Sequence, residues 1–179
     1  FVECGVWKGG SCMIMAKELL KRGSISREIW MYDTFEGMTE PTDEDIEIET
    51  GIKGKNLLSG VQKTSEKYNM WAYSPLDEVK KNMQKTGYPI DKFRYIVGKV
   101  EDTLIESLPN EIALLRLDTD WYESTRFELE KLYPLIVSGG ILIIDDYGHF
   151  SGAKKAVDEY FKTISRTPLL NRIDYTGRL

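Results

Sequence analysis

Short, nearly continuous apolar runs alternate along this chain with stretches in which apolar residues recur every three or four positions. Runs of the first kind mark strands buried on both faces, and stretches of the second mark amphipathic helices. Phe1 to Val6 reads as a strand, the glycine-bearing turn Trp7-Lys8-Gly9-Gly10 follows, and Ser11 opens a helix, "SCMIMAKELLKR", that stops at Gly23. "EIWMYDTF" holds a second strand ending at Asp33. "SPLDEVKKNMQKTG" sets Leu76, Val79 and Met83 at helical spacing, with Ser74 and Pro75 at its start and Gly87 at its end. A third strand, "KFRYIVG", leads into a loop and short helix, "VEDTLIESLP", closing before Pro109. "EIALLRLD" is a fourth strand followed by the helix "YESTRFELEKLYPLI", and "GGILIIDDYG" is a fifth followed by "GAKKAVDEYFKTI". The final "NRIDYTGRL" predicts a hairpin: one strand, a Thr-Gly turn and the opening of a second strand truncated at the chain end.

Strand and helix alternate throughout, which predicts an α/β fold, doubly wound around a mostly parallel, Rossmann-like sheet. Ligands of such sheets bind beyond the carboxyl ends of the strands. There is no internal repeat or low-complexity tract, so residues 1–179 read as one domain. The polar segment from Glu36 to about Lys67 is long for a connection inside a compact domain. It reads equally as a charged loop and as a mobile, lid-like insertion over a substrate.

Composition narrows the function. A chain of 179 residues can bury a sizeable core, and no apolar run approaches the ~20 residues of a membrane span. A formal net charge of −5 argues against coating nucleic acid. Cys4 and Cys12 form neither a disulfide framework nor a zinc motif, so a reducing cytoplasm is the expected setting. The chain begins without Met and directly inside a strand, which predicts a fragment whose natural start lies upstream.

The chemistry concentrates at two strand ends. Asp118 and Asp120 close "IALLRLDTDWY", and Asp145 and Asp146 close "GGILIIDDYG". If the two strands are neighbours they lie roughly 5 Å apart, and four carboxylates converge. Like charges that close raise one another's pKa unless a cation neutralises them, and clustered hard oxygen ligands favour Mg²⁺, with Mn²⁺ or Ca²⁺ fitting the same description. The plainer reading is that strand-end aspartates cap the helices that follow. Arg116, inside an apolar strand, reads as a structural partner to a nearby carboxylate, because a buried guanidinium needs pairing.

The first turn puts glycines between strand and helix, where a ligand can approach the backbone. It matches neither G-x-G-x-x-G nor a Walker sequence, which disfavours a nicotinamide oxidoreductase. Asp33 stands where doubly wound folds place a ribose acceptor, with Thr34 beside it. The stretch from Gly98 to Asp102, including Glu101, would flank the same crevice near an adenine edge. The sole histidine, His149, is a candidate base or substrate contact, against the plainer reading of a surface residue. Trp71, Tyr73 and Trp121 are candidate pocket walls, although aromatics beside helices more often serve the core.

Five blocks, "VECGVWKGGS", "YDTFEGM", "SPLDEVKKN", "LLRLDTDWYESTRFELEKLYP" and "GGILIIDDYGHFSGAKKAVDEYF", closely resemble the macrocin O-methyltransferase (TylF-type) family over nearly the whole chain. That resemblance implies a class I methyltransferase fold in which S-adenosyl-L-methionine and Mg²⁺ serve to methylate a sugar hydroxyl of a natural product. It implies Asp118, Asp145 and Asp146 as metal ligands, Asp120 as general base, and Glu3, Gly5, Gly9, Gly10, Ser11 and Asp33 as cofactor-binding positions. Members carry helices upstream of the first strand, so the resemblance also implies missing helices that would suit a homo-oligomer interface. The partner it implies is a small hydroxylated acceptor, with no nucleic acid and no membrane. Two rivals stand beside it: a non-catalytic cofactor-binding or scaffold protein, and a metal-dependent hydrolase using the same aspartates. The hydrolase would need neither the glycine turn nor Asp33.

Overall fold

The computed structural model describes residues 1–165 and 167–179. Five strands, β1 (Val2–Cys4), β2 (Ile29–Asp33), β3 (Phe93–Val97), β4 (Ile112–Leu117) and β5 (Ile136–Ile144), form one sheet in the order β3-β2-β1-β4-β5. Every neighbouring pair among them is parallel. Among the described residues six α-helices accompany them: α1 (Gly10–Lys21), α2 (Gly54–Leu58), α3 (Leu76–Gln84), α4 (Val100–Glu106), α5 (Tyr122–Leu132) and α6 (Ser151–Thr163). None of the described helices is long and apolar enough to cross a membrane.

Alternation along the strands builds two apolar layers. Ile29 and Met31 of β2 join Cys12, Met15 and Leu19 of α1 and Val79 and Met83 of α3. Tyr32 of β2 joins Leu104, Leu129, Leu132, Val157 and Phe161, contributed by α4, α5 and α6. Both faces of the sheet are thus covered, as an all-parallel sheet requires. The ladder continues one residue past the strand ends: Gly5 N donates to Tyr32 O at 2.9 Å, Gly98 N to Asp33 O at 3.0 Å, Asp118 N to Cys4 O at 2.9 Å, and Asp145 N to Leu117 O at 2.9 Å. These bonds line up the residues that begin each carboxyl-end loop.

Three features differ from the sequence reading. β5 begins at Ile136, before Gly139 and Gly140, and its register against β4 shifts between Ile112 and Leu114. An edge strand tolerates glycines as an irregularity where a central strand would not. The C-terminal hairpin exists as single bridges: Arg178 pairs antiparallel with Arg172 and with Ile144 of β5. Its turn is held by the Asp174 carboxylate, which accepts from Thr176 N at 2.9 Å and Gly177 N at 2.7 Å.

The segment from Glu36 is not a free loop along its first half. Asp45, fully buried, accepts from Thr42 N at 2.7 Å and from Tyr122 N at 2.7 Å, satisfying an open donor at the start of α5. Ser151 N donates to Ile46 O at 2.9 Å, and Ile48 N to His149 O at 2.8 Å, stitching the segment to the loop before α6. Leu58, Trp121, Phe150 and Ala153 form a separate apolar cluster beneath it, with Met38, Leu57, Met70 and Trp71 packed around.

Candidate functional site at the carboxyl edge of the sheet

The first turn is shaped by the protein's own backbone. Gly5 has φ of 79°, and a Cβ there would stand 1.9 Å from the carbonyl oxygen of Asp118. The missing side chain is what lets the β1 turn and the β4 loop lie against each other. Asp33 then ties that turn down: its Oδ2 accepts from Val6 N at 2.6 Å and Trp7 N at 3.1 Å, and its Oδ1 from Phe35 N at 2.6 Å. Burial pushes the Asp33 carboxyl up, and these three donors pull it back down. Thr34 turns its hydroxyl to Gly37 O at 2.8 Å.

Arg116 organises the acidic end. Its guanidinium meets Glu3 Oε1 at 2.6 Å, Asp118 Oδ2 at 2.5 Å and Asp145 Oδ1 at 2.8 Å. Glu3 is buried and also accepts from Cys12 Sγ at 2.7 Å. The pairing expected for Arg116 is therefore present three times over. Asp118, Asp120 and Asp146 offer carboxylate oxygens that all lie within 4.8 Å of one another. β4 ends at Leu117, so both aspartates of the Asp-Thr-Asp run lie beyond the strand. Asp120 has φ of 66°, the left-handed region that aspartate enters more readily than most residues. That bend brings its carboxylate back toward Asp118.

Five carboxylates thus crowd around one guanidinium, three of them in contact with it, and the deficit of positive charge shows. Burial first, then the surrounding aspartates, push Asp118 well above the usual carboxylate range, with Arg116 pulling the other way. Burial pushes Asp120 and Asp146 up as well, and those two are hydrogen-bonded to each other. Hard anionic oxygens, crowded and under-neutralised, suit a small divalent cation. The three convergent carboxylates include Asp120 in place of Asp145, which the resemblance implied as a ligand and which here rests on Arg116.

A cavity of about 350 Å³ runs along this edge. Its lining includes Gly5, Asp33, Thr34, Gly98 and Glu101 together with Asp118, Asp120, Asp145, Asp146 and His149. Glu101 Oε2 is buried without a hydrogen-bond partner, an acceptor for a ligand hydroxyl or amine. The structure does not bring Glu3, Gly9, Gly10, Ser11 or Asp102 to this wall: Gly9 is buried against Met83, and Glu3 lies beneath on Arg116. His149 stacks on Phe150, with Nε2 3.1 Å from Glu47 Oε1 and Nδ1 4.0 Å from Asp146 Oδ1. Trp71, Tyr73 and Trp121 stay off the lining, and Trp121 is buried against Phe150.

Sequence reasoning missed the roof and one side wall. Met38, Thr39, Tyr68 and Met70 close the cavity from the polar segment, and Tyr175 and Thr176 enter it from the terminal hairpin. One signal pointed to the hairpin: at Gly148 a Cβ would meet the Tyr175 carbonyl oxygen at 1.9 Å, so that position admits only glycine. The sequence shows the glycine but not its neighbour.

An open parallel sheet in this strand order, with a cavity across its carboxyl edge, is common to dinucleotide-binding and class I S-adenosylmethionine-dependent methyltransferase folds, and a solved relative places the chain in the second. The solved structure of the O-methyltransferase NovP, 31% identical, matches with a TM-score of 0.81 over 99% of this chain and 69% of that one. The sequence profile of the macrocin-O-methyltransferase (TylF) family matches residues 1–179, and the chain belongs to that family. It is 33% identical over 176 residues to 8-demethyl-8-(2,3-dimethoxy-alpha-L-rhamnosyl)-tetracenomycin-C 4'-O-methyltransferase of Streptomyces olivaceus, covering 98% of this chain and 63% of that protein. It is 32% identical over 178 residues to demethyldecarbamoylnovobiocin O-methyltransferase of Streptomyces niveus, again covering 98% of this chain and 63% of the relative. The chain therefore spans less than two thirds of the length of these two relatives.

Proposed function

We propose that this chain transfers a methyl group from S-adenosylmethionine to a hydroxyl on a sugar of a glycosylated natural product, with Mg²⁺ or a similar hard cation at the aspartates. The observation that carries the reading is one cavity lined both by Gly5, Asp33 and Glu101 and by Asp118, Asp120 and Asp146. The Streptomyces olivaceus relative is named for a rhamnosyl-bearing compound, which supports a sugar as acceptor.

Asp118, Asp145 and Asp146 would hold the cation. Asp118 and Asp145 each rest one oxygen on Arg116, and each carboxylate has a second to offer. A bound divalent cation lowers the pKa of a hydroxyl at the site, and bound S-adenosylmethionine presents an electrophilic methyl on sulfur. Asp120 takes the proton from the acceptor hydroxyl. Burial raises its affinity for a proton, as a base working near neutrality requires. Met38, Tyr68 and Met70 keep water off the reacting end. The anchored first half of the polar segment leaves the exposed stretch around residues 59–68 to open for entry.

The test is methyl transfer from radiolabelled S-adenosylmethionine to a panel of deoxysugar conjugates, with and without EDTA. Transfer that EDTA stops and Mg²⁺ restores is the expected result. Undiminished transfer in a metal-stripped sample would remove the cation from the reading, and no calorimetric binding of S-adenosylmethionine would remove all of it.

A further inference from the structure

Glu128 projects from α5 with none of its surface exposed, and the proposed reaction assigns it nothing. A carboxyl taken wholly out of water is costly and persists where it holds something in place. Its Oε1 accepts from Thr119 Oγ1 at 3.0 Å, while Oε2 is buried without a partner. Thr119 is the residue between Asp118 and Asp120.

That loop needs holding. Asp120 stands at φ of 66°, a conformation that surrounding structure must enforce. Trp121 N donates to Thr119 O at 2.8 Å, Ser124 Oγ reaches the same oxygen at 3.5 Å, and Gly5 packs beneath Thr119 N. All three act on the backbone. The Thr119 hydroxyl ties the loop's side-chain face to the helix behind it through Glu128.

We propose that Glu128 is a positioning residue for the methyl-transfer site, holding Asp118 and Asp120 against the cavity through its bond to Thr119. The inference rests on the function proposed above. Burial pushes the Glu128 carboxyl well above its ordinary range, and Glu101 is the strongest charge acting against its ionisation. The geometry makes the grip a single hydrogen bond from the Thr119 hydroxyl, which either form of the carboxyl accepts.

Three substitutions separate the roles. E128Q keeps the acceptor and the shape, E128M keeps the volume and removes the acceptor, and T119V removes the donor. E128M and T119V should each lower kcat about 10- to 100-fold with the KM for S-adenosylmethionine within about twofold. E128Q should stay within about threefold of the parent, because its amide oxygen still accepts. The double variant T119V/E128M should be no worse than either single change, since both cut the same bond. Multiplying effects, or E128Q as damaged as E128M, overturn the proposal.

Two further readouts need no turnover. In protein labelled at threonine methyls, E128M should move the Thr119 resonance and E128Q should not. Mn²⁺ binding followed by electron paramagnetic resonance should weaken about tenfold in E128M and T119V, as expected for misplaced ligands. An unmoved Thr119 resonance in E128M overturns the clamp. A parent protein that shows the Thr119 pattern yet neither binds Mn²⁺ nor transfers methyl supports the clamp and retires the methyl-transfer reading instead. T119V, at a partly exposed position, carries the kinetic test should E128M fail to fold.

Discussion

Replacing Arg116 by methionine should convert an ion-pair hub into three competing carboxylates, with the damage concentrated at Glu3. Of its partners, Glu3 has a side chain 1% exposed, Asp118 26% and Asp145 37%. Breaking a buried pair costs about 3–5 kcal/mol because the remaining charge is left without a partner, whereas a solvated pair such as that with Asp145 adds at most about 1 kcal/mol. Arg116→Met should therefore lose roughly 3–4 kcal/mol at pH 8, which for a chain of this size lowers Tm by about 6–16 °C. The loss must depend on pH. Burial already raises the Glu3 carboxyl, and Arg116 is the strongest influence pulling it down. Without the guanidinium the folded-state pKa rises further above an unfolded value of about 4.3. A carboxyl raised in this way contributes stability that is complete below the unfolded value and lost as pH rises through the folded one. The variant should lie close to the parent near pH 4.5 and fall away steadily toward pH 8. Urea unfolding followed by circular dichroism at both ends of that range measures the difference. Mg²⁺ should recover more stability in the variant than in the parent, because Asp118 and Asp145 are released to bind it. Equal deficits at both pH values would show that lost side-chain packing, not uncompensated charge, sets the cost.

Asp33→Ala removes the acceptor of three backbone donors, so it should weaken S-adenosylmethionine binding by about 1–3 kcal/mol; equal calorimetric affinity would leave Asp33 as a holder of the first turn alone. Asp118→Asn should raise the Mg²⁺ concentration needed for transfer, while Asp120→Asn should lower kcat about 10²–10⁴-fold without changing that requirement; identical metal titrations would assign both aspartates to the ion. Glu128 is held well above the ordinary carboxylate range by burial, so its stabilising contribution is complete below the unfolded pKa and declines as pH rises. E128Q should accordingly lose less Tm than the parent as pH rises above the ordinary carboxylate range, and parallel Tm profiles up to the alkaline limit of folding would refute that contribution.

Most of the sheet was legible because its determinants are local. "IALLRL" is apolar on both faces, and the helix that follows it repeats buried positions every three or four residues, so β4 and α5 needed no tertiary information. The start of β5 was hidden because Gly139 and Gly140 look like an end signal. Only their place at the edge of the sheet, with a register shift against β4, lets the strand run through them. The anchoring of the polar segment was hidden more deeply. Asp45 is one acid in an acidic stretch, and nothing near it shows that its carboxylate serves the first turn of α5, 77 positions away.

The site divides along the same line. That the aspartates would meet depended on β4 and β5 being neighbours, which alternation leaves open and the sheet order supplies. How they share positive charge did not follow, because Arg116 chooses among Glu3, Asp118 and Asp145 by side-chain geometry that no spacing encodes. Gly5 makes the contrast sharpest. Its presence after β1 signalled a close approach, and a close approach exists, but to the carbonyl of Asp118. That contact sets the turn after β1 directly against the loop after β4 through the backbone. A side chain at Gly5 would thus disturb the aspartate loop directly. Sequence can announce that a backbone must come close at such a position; only the fold says which partner it meets, and here the partner is the loop that carries Asp118 and Asp120.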